Sequence, residues 1–164
     1  MTRSLNQKIK AKSLYQRAEE HWAKGQLRAA FRDFLAAAKA GSILAFRTVG
    51  YFYHDGVGVK RNRNAALYWY KKSSRHGNSS SANNIGVILR DRGKLREAIA
   101  WFRKAVKLGS SDSNLNIAHI YLRNEPNLEK AVKYLKLTCK ARTATRGSRE
   151  EARNLLKQLR ESRP

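Results

Sequence analysis

The chain has 164 residues, 41% of them hydrophobic, enough for one continuous core of ordinary domain size. It carries 35 Lys and Arg against 12 Asp and Glu, a formal charge of +23, which is unlike an ordinary soluble enzyme and points to an acidic partner or an anionic surface. The N-terminal stretch MTRSLNQKIKAKSLY has no apolar run of signal-peptide length, and no later run approaches the roughly 18 apolar residues of a membrane span, so a soluble cytoplasmic protein without a transmembrane segment is expected.

In chain order the apolar spacing predicts helices at 11–24 and 26–40, 42–54 and 63–76, 80–92 and 94–108, then 112–123 and 127–140. Leu27, Ala30, Phe31, Phe34, Leu35 and Ala38 recur at three and four residues, as do Leu95, Ala98, Ile99, Phe102, Ala105 and Val106, and strand alternation is absent. The segments AAFRDFLAAAKAG, AALYWYKKSSRHG and EAIAWFRKAVKLG end alike, on Gly41, Gly77 and Gly109, where a helix stops most easily on a left-handed glycine. KAVKYLKLTCK repeats the plan without the glycine. Ala30, Ala66, Ala98 and Ala131 are therefore equivalent, at intervals of roughly 32 to 36 residues, the length of one helical hairpin. After ARTATRG, Ser148 is the expected N-cap of a last helix at 148–162 whose Ala152, Leu155, Leu156 and Leu159 share one face. A stack of hairpins needs such a cover at its end. The expected fold is all-α, an α/α solenoid of about four helix-turn-helix repeats (11–41, 42–77, 78–109, 110–140) plus this C-terminal capping helix, in one domain over 1–164.

The second unit, AFRTVGYFYHDGVGVKRNRNAALYWYKKSSRHGN, resembles the Sel1-like repeat through Ala45, Val49, Gly50, Tyr53, Gly56, Gly58, Val59, Ala66, Trp69, Tyr70 and Gly77. The first and third units, with the short turns AKGQL and DRGKL, are similar to ordinary tetratricopeptide repeats. The resemblance spans about 13–140 and implies a helical-repeat architecture with a binding habit. It also implies stacked hairpins that curve, first helices on the inner wall and second helices outside. Small bacterial proteins of similar repeats include immunity proteins that neutralise a cognate toxin. Gly50, Gly86 and Ala118 hold equivalent places where the two helices of a hairpin come close, and Trp69, Trp101 and Tyr134 hold one packing place on the second helices.

The residues offer little for catalysis or cofactors. His21, His54, His76 and His119 are dispersed, without metal-ligand spacing, and the single Cys139 cannot form a pair and reads as a small core residue. DGVGV lacks the Lys and Ser or Thr of a phosphate loop, no Gly-x-Ser-x-Gly marks a nucleophile, and paired acid and base carboxylates are not visible. No enzyme activity, metal, cofactor or small-molecule substrate is expected.

Binding then divides by face. The first helices direct Tyr15, Trp22, Arg47, Tyr51, His54, Asn83, Arg90, His119 and Arg123 to a groove suited to an acidic protein or peptide, aromatic rings supplying apolar contact and arginines paired donors to carboxylates. The second helices direct Arg28, Arg32, Lys71, Lys72, Arg75, Arg96, Arg103, Lys104, Lys107 and Lys133 outward as a basic face. The expected function is a protein–protein interaction module of the adaptor or inhibitor type. The alternative is a nucleic-acid or anionic-membrane binder that uses the basic face without base specificity.

Overall fold

The structure, a computed structural model, describes residues 2–124 and 126–161, with side chains from Leu5 onward. The described residues form helices and no strand: α1 (Thr2–Ala23), α2 (Leu27–Lys39), α3 (Ile43–Asp55), α4 (Arg63–Arg75), α5 (Ser79–Asp91), α6 (Leu95–Lys107), α7 (Ser113–Arg123), α8 (Leu128–Lys140) and α9 (Arg146–Glu161). They fall into two compact units, Met1–Ser81 and Ala82–Pro164.

In the first unit α1 packs on α2, α2 on α3 and α3 on α4. The expected apolar face of α2 is the buried one, with Ala30, Phe31, Phe34, Ala37 and Ala38 turned inward. It meets Ala18 of α1 and Ala45, Phe46, Val49 and Phe52 of α3 in one core. Full burial of each large side chain contributes about 1.5–3 kcal/mol before chain entropy is subtracted. The small residues let the helix axes approach: a Cβ on Gly50 would lie 2.6 Å from Cδ1 of Tyr70. The long loop of this unit seats against the first hairpin at Gly58, where φ is +64° and a Cβ would lie on the carbonyl of Leu27. Helix α4 opens on Asn62, whose side chain accepts from the N–H groups of Asn64 (3.1 Å) and Ala65 (3.0 Å).

The second unit repeats the construction. Helix α6 packs on α7, α7 on α8 and α8 on α9. Its buried residues include Ile85, Ile88, Phe102, Ile117, Ile120 and Leu135. Gly86 stands where Gly50 does in the first unit, 2.6 Å between its ideal Cβ and Cε1 of Phe102. Asn127 caps α8, accepting from the N–H of Lys130 at 2.9 Å. Gly41, Gly77 and Gly109 close α2, α4 and α6 at φ of 96°, 84° and 103°, as their places in the sequence imply.

Two boundaries differ from the sequence expectation. Helix α1 starts at Thr2 rather than residue 11, extended by helix-favouring Leu, Gln, Lys and Ile although Leu5 and Ile9 remain 59% and 58% exposed. Helix α9 starts at Arg146, so Ser148 lies inside it. The cap is Thr145, whose Oγ1 accepts from the N–H of Ser148 at 3.2 Å while its own N–H donates to Oδ1 of Asp112 at 2.8 Å. Three residues separate a capping side chain from the N–H it satisfies, and Ser148 is the donor in that pair, not the cap. The expected last residue of this helix, Ser162, lies outside the described residues, as do the first and last residues of the expected domain.

Candidate functional site

In the first unit the structure gathers four of the expected groove residues on the face made by α1 and α3. Trp22 is 40% exposed and stacks on Tyr51, ring centroids 6.3 Å apart and planes 26° from parallel. Its edge rests on Phe34 at 5.7 Å and Phe52 at 5.4 Å, so the indole is rooted in the core but open to solvent on one side. Tyr15 packs edge-on to Phe34 at 5.4 Å. Burial holds the Tyr15 phenol above its ordinary value, the charge of Glu19 and a hydrogen bond with it add to the rise, and exposed Arg47 pulls the other way. Arg47 thus lies within electrostatic reach of the aromatic group. His54, the fifth expected member, is half-buried and turned edge-on to Tyr70 at 6.1 Å.

Beside this face lies a cluster that the sequence reading missed. Asp33 of α2 is buried and accepts two bonds from Arg17 of α1, from Nε at 2.7 Å and Nη2 at 2.6 Å, and stands 3.0 Å from Nδ1 of His21. Hydrogen bonding to Arg17 draws the Asp33 carboxyl below its ordinary value against the opposing effect of burial, and the charges of Arg17 and His21 add to the depression. One signal was available, a lone carboxylate among the core positions Ala30, Phe34 and Ala37. Its partners, 16 and 12 residues away, were not.

In the second unit the expected groove residues are engaged in different ways. Asn83 ties α5 to α7, its Oδ1 accepting from Oγ of Ser113 and Nδ2 of Asn116, both at 2.9 Å. His119 of α7 is held through Nε2 to Oε1 of Glu151 on α9 at 2.9 Å. Arg90 pairs with Asp91 at 3.1 Å, and Arg123 is exposed at the last turn of α7. Two of these side chains therefore bind helices together, and two stay near solvent.

The second helices carry their cations partly as expected. Arg28, Arg32, Lys71 and Arg75 in the first unit are exposed, as are Arg96, Arg103, Lys107 and Lys133 in the second. The half-buried ones sit on rings. Lys72 Nζ lies 5.0 to 5.7 Å from the centroids of Phe46, Tyr68 and Trp69, and Lys104 Nζ lies 4.6 Å from that of Trp101. Arg103 donates through Nε to the hydroxyl of Tyr134 at 3.0 Å. Trp69 and Tyr134 are buried, and Trp101, under Lys104, is half-buried. Among the described residues no group of three His, Cys, Asp or Glu could hold a metal ion, and no helix is long and apolar enough to cross a membrane.

Comparison with known proteins agrees with this geometry. The Sel1 repeat model matches residues 48–78 and 111–142, and a tetratricopeptide repeat model matches 79–109 between them. A sel1-like repeat-containing protein of Acanthamoeba polyphaga mimivirus is 31% identical over 97 residues, which is 58% of this chain but 18% of that protein. Among solved structures, a Sel1 repeat protein from Oxalobacter formigenes aligns with a TM-score of 0.63 at 22% identity, over 77% of this chain and 56% of its own. A protective antigen of uropathogenic Escherichia coli with an SLR fold gives 0.66 at 23%, over 77% of this chain and 30% of its own. MamA gives 0.63 at 18%, over 88% of this chain and 92% of its own. These likenesses establish an all-α helical-repeat fold of the solenoid class. Such repeats build surfaces for protein–protein contact and serve in general as non-enzymatic scaffolds. The two matched hairpins flank a tetratricopeptide-like one, and that pattern supports a Sel1-like repeat protein.

Proposed function

We propose that the chain is a non-enzymatic adaptor or inhibitor that captures an acidic segment of another protein on the α1–α3 face of its first unit. The observation that carries this reading is the open Trp22, stacked on Tyr51, with exposed Arg47 one helical turn before Tyr51 on α3. A rigid aromatic pair loses little conformational entropy on binding, and an arginine beside it offers two donors to one carboxylate. Glu19, whose charge helps to raise the Tyr15 phenol, opposes an acidic ligand locally, which favours a ligand whose carboxylate meets Arg47 and whose apolar side chain meets Trp22. His54 completes the face in this reading, and Asn83, Arg90, His119 and Arg123 belong to the corresponding face of the second unit. An immunity-type role, in which the ligand is a toxin, is one version of this function.

A second reading rests on Tyr68, which is 54% exposed beside exposed Lys71 and Arg75, with the ammonium of Lys72 over its ring. An exposed ring among cations suits a stacked base of single-stranded nucleic acid, or the interface of an anionic membrane.

One experiment weighs the two. Labelled extended peptides that alternate Glu with Leu or Phe, single-stranded RNA and phosphatidylserine vesicles are titrated with wild type, Arg47→Glu, Trp22→Ala and Lys71→Glu/Arg75→Glu at moderate salt. The first reading expects the peptide to lose about tenfold or more in affinity with Arg47→Glu and Trp22→Ala, and to be little affected by the α4 double variant. Peptide binding indifferent to both α1–α3 variants, together with RNA or vesicle binding abolished by the α4 variant, replaces the first reading with the second.

A further inference from the structure

The C-terminal helix covers α8 incompletely. Sequence spacing assigns Ala152, Leu155, Leu156 and Leu159 to one apolar face of α9, yet of the four only Ala152 is fully buried. Leu156 and Leu159 stay half-buried because they line a cleft of about 190 Å³ between α8 and α9, with Leu128, Val132, Lys136 and Arg160. Leu128, Val132 and Lys136 continue into a broader surface groove of about 520 Å³ along α8, which adds Glu129, Lys133, Leu137 and Lys140. Leu128 and Leu137 are 41% and 42% exposed. Aliphatic side chains thus floor a channel that follows a helix axis, and every charged side chain lining it is a cation except Glu129.

We infer that this channel is a docking site for an acidic amphipathic helix of a partner protein. The pattern of the site selects the occupant. Exposed Leu128 and Leu137 with half-buried Val132 between them along α8, and half-buried Leu156 and Leu159 on α9, match apolar anchors spaced three and four residues apart on a docking helix, and Lys133, Lys136, Lys140 and Arg160 match carboxylates on its flanks. A second copy of this chain fits poorly, since it brings a net charge of +23 to a rim already cationic. The site lies wholly in the second unit and uses none of the residues of the α1–α3 face, so it stands apart from the function proposed above.

The probe is a labelled peptide of about 14 residues, a helix of Leu anchors flanked by Glu. Beside it are tested a scrambled peptide of the same composition and a version with Gln for Glu, by fluorescence anisotropy at moderate salt. The inference expects the patterned acidic helix to bind, the scrambled peptide to bind at least tenfold more weakly, and the Gln version to lie between. Leu128→Glu, at the first turn of α8 where a carboxylate is compatible with the helix, and Lys136→Glu should each weaken binding severalfold with unchanged circular dichroism. Arg47→Glu should leave it unchanged, which separates failure here from failure of the α1–α3 reading. Four results each overturn the inference: scrambled and patterned peptides binding alike, indifference to Leu128→Glu, a dimer in sedimentation that Leu128→Glu dissolves, or phosphatidylserine vesicles bound through this channel when the peptide is not.

Discussion

Asp33 illustrates how one carboxylate in a cationic protein is spent on architecture. It is 8% exposed, joins α1 to α2 through Arg17 and His21, and its carboxyl is drawn below the ordinary 3.8 of an aspartate, chiefly by the hydrogen bonds from Arg17. A depressed folded-state value means that the unfolded chain takes up the proton first as pH falls. The stabilisation from Asp33 is therefore complete above the unfolded value, at neutral pH, and is lost as the pH drops through the folded one. Arg17 is 57% exposed, so water screens the pair and the effect on Asp33 is about 1 kcal/mol rather than that of a sealed ion pair. Asp33→Asn should lower stability at pH 7 by this amount, and the gap to wild type should close below about pH 4, as urea titrations at several pH values would read it. A gap of equal size at pH 3 and pH 7 would mean that shape, not charge, is what position 33 supplies.

At the scale of the helical hairpin, closure depends on places without a side chain. Gly86 lets α5 meet α6 across the ring of Phe102, which is itself fully buried and has nowhere to move. Gly86→Ala should cost about 1–3 kcal/mol, the range of overpacked cores. Gly147 lies in the first turn of α9 with nothing within 4 Å of its ideal Cβ, and Gly147→Ala should instead stabilise by up to about 1 kcal/mol. Chemical denaturation of the two variants checks the contrast, and a Gly86→Ala protein as stable as wild type would remove the close-approach account. These hairpins were legible because each repeats Ala and an aromatic at fixed spacing, the first three with a closing Gly, so eight helices fall within a few residues of expectation. What stayed hidden lacks such a signature. Residues 5–10 of α1 are all exposed and give no apolar stripe to read, and Thr145 is selected as the cap of α9 partly by Asp112, a residue far away in the chain. The site divides in the same way. Tyr15 with Trp22 on α1, and Arg47 with Tyr51 on α3, share helix faces that spacing conveys, and Trp22 stacks on Tyr51 between them, whereas the use of His119 by Glu151 depends on where α9 lies.

For the whole molecule the dominant quantity is charge, since 12 carboxylates cannot neutralise 35 Lys and Arg. Several of the observed pairs, Lys94 with Glu97, Arg146 with Glu150 and Lys157 with Glu161, are neighbours along single exposed helices and contribute a few tenths of a kcal/mol each. They do not offset the repulsion among the remaining cations, which reaches about 30 Å at 0.01 M salt and about 8 Å at 0.15 M. Folding brings those cations closer than the unfolded chain does, so the compact state bears more of the repulsion. Added salt should accordingly raise the melting temperature between these two concentrations, the reverse of what a protein held by surface ion pairs would do. Binding of an acidic ligand should move the other way and weaken over the same interval, because the field that steers the ligand is the one being screened. Thermal melts and peptide titrations in the same sodium chloride series read both. A melting temperature that falls or stays level as salt rises would mean that local pairing, not net repulsion, governs the electrostatics of this fold.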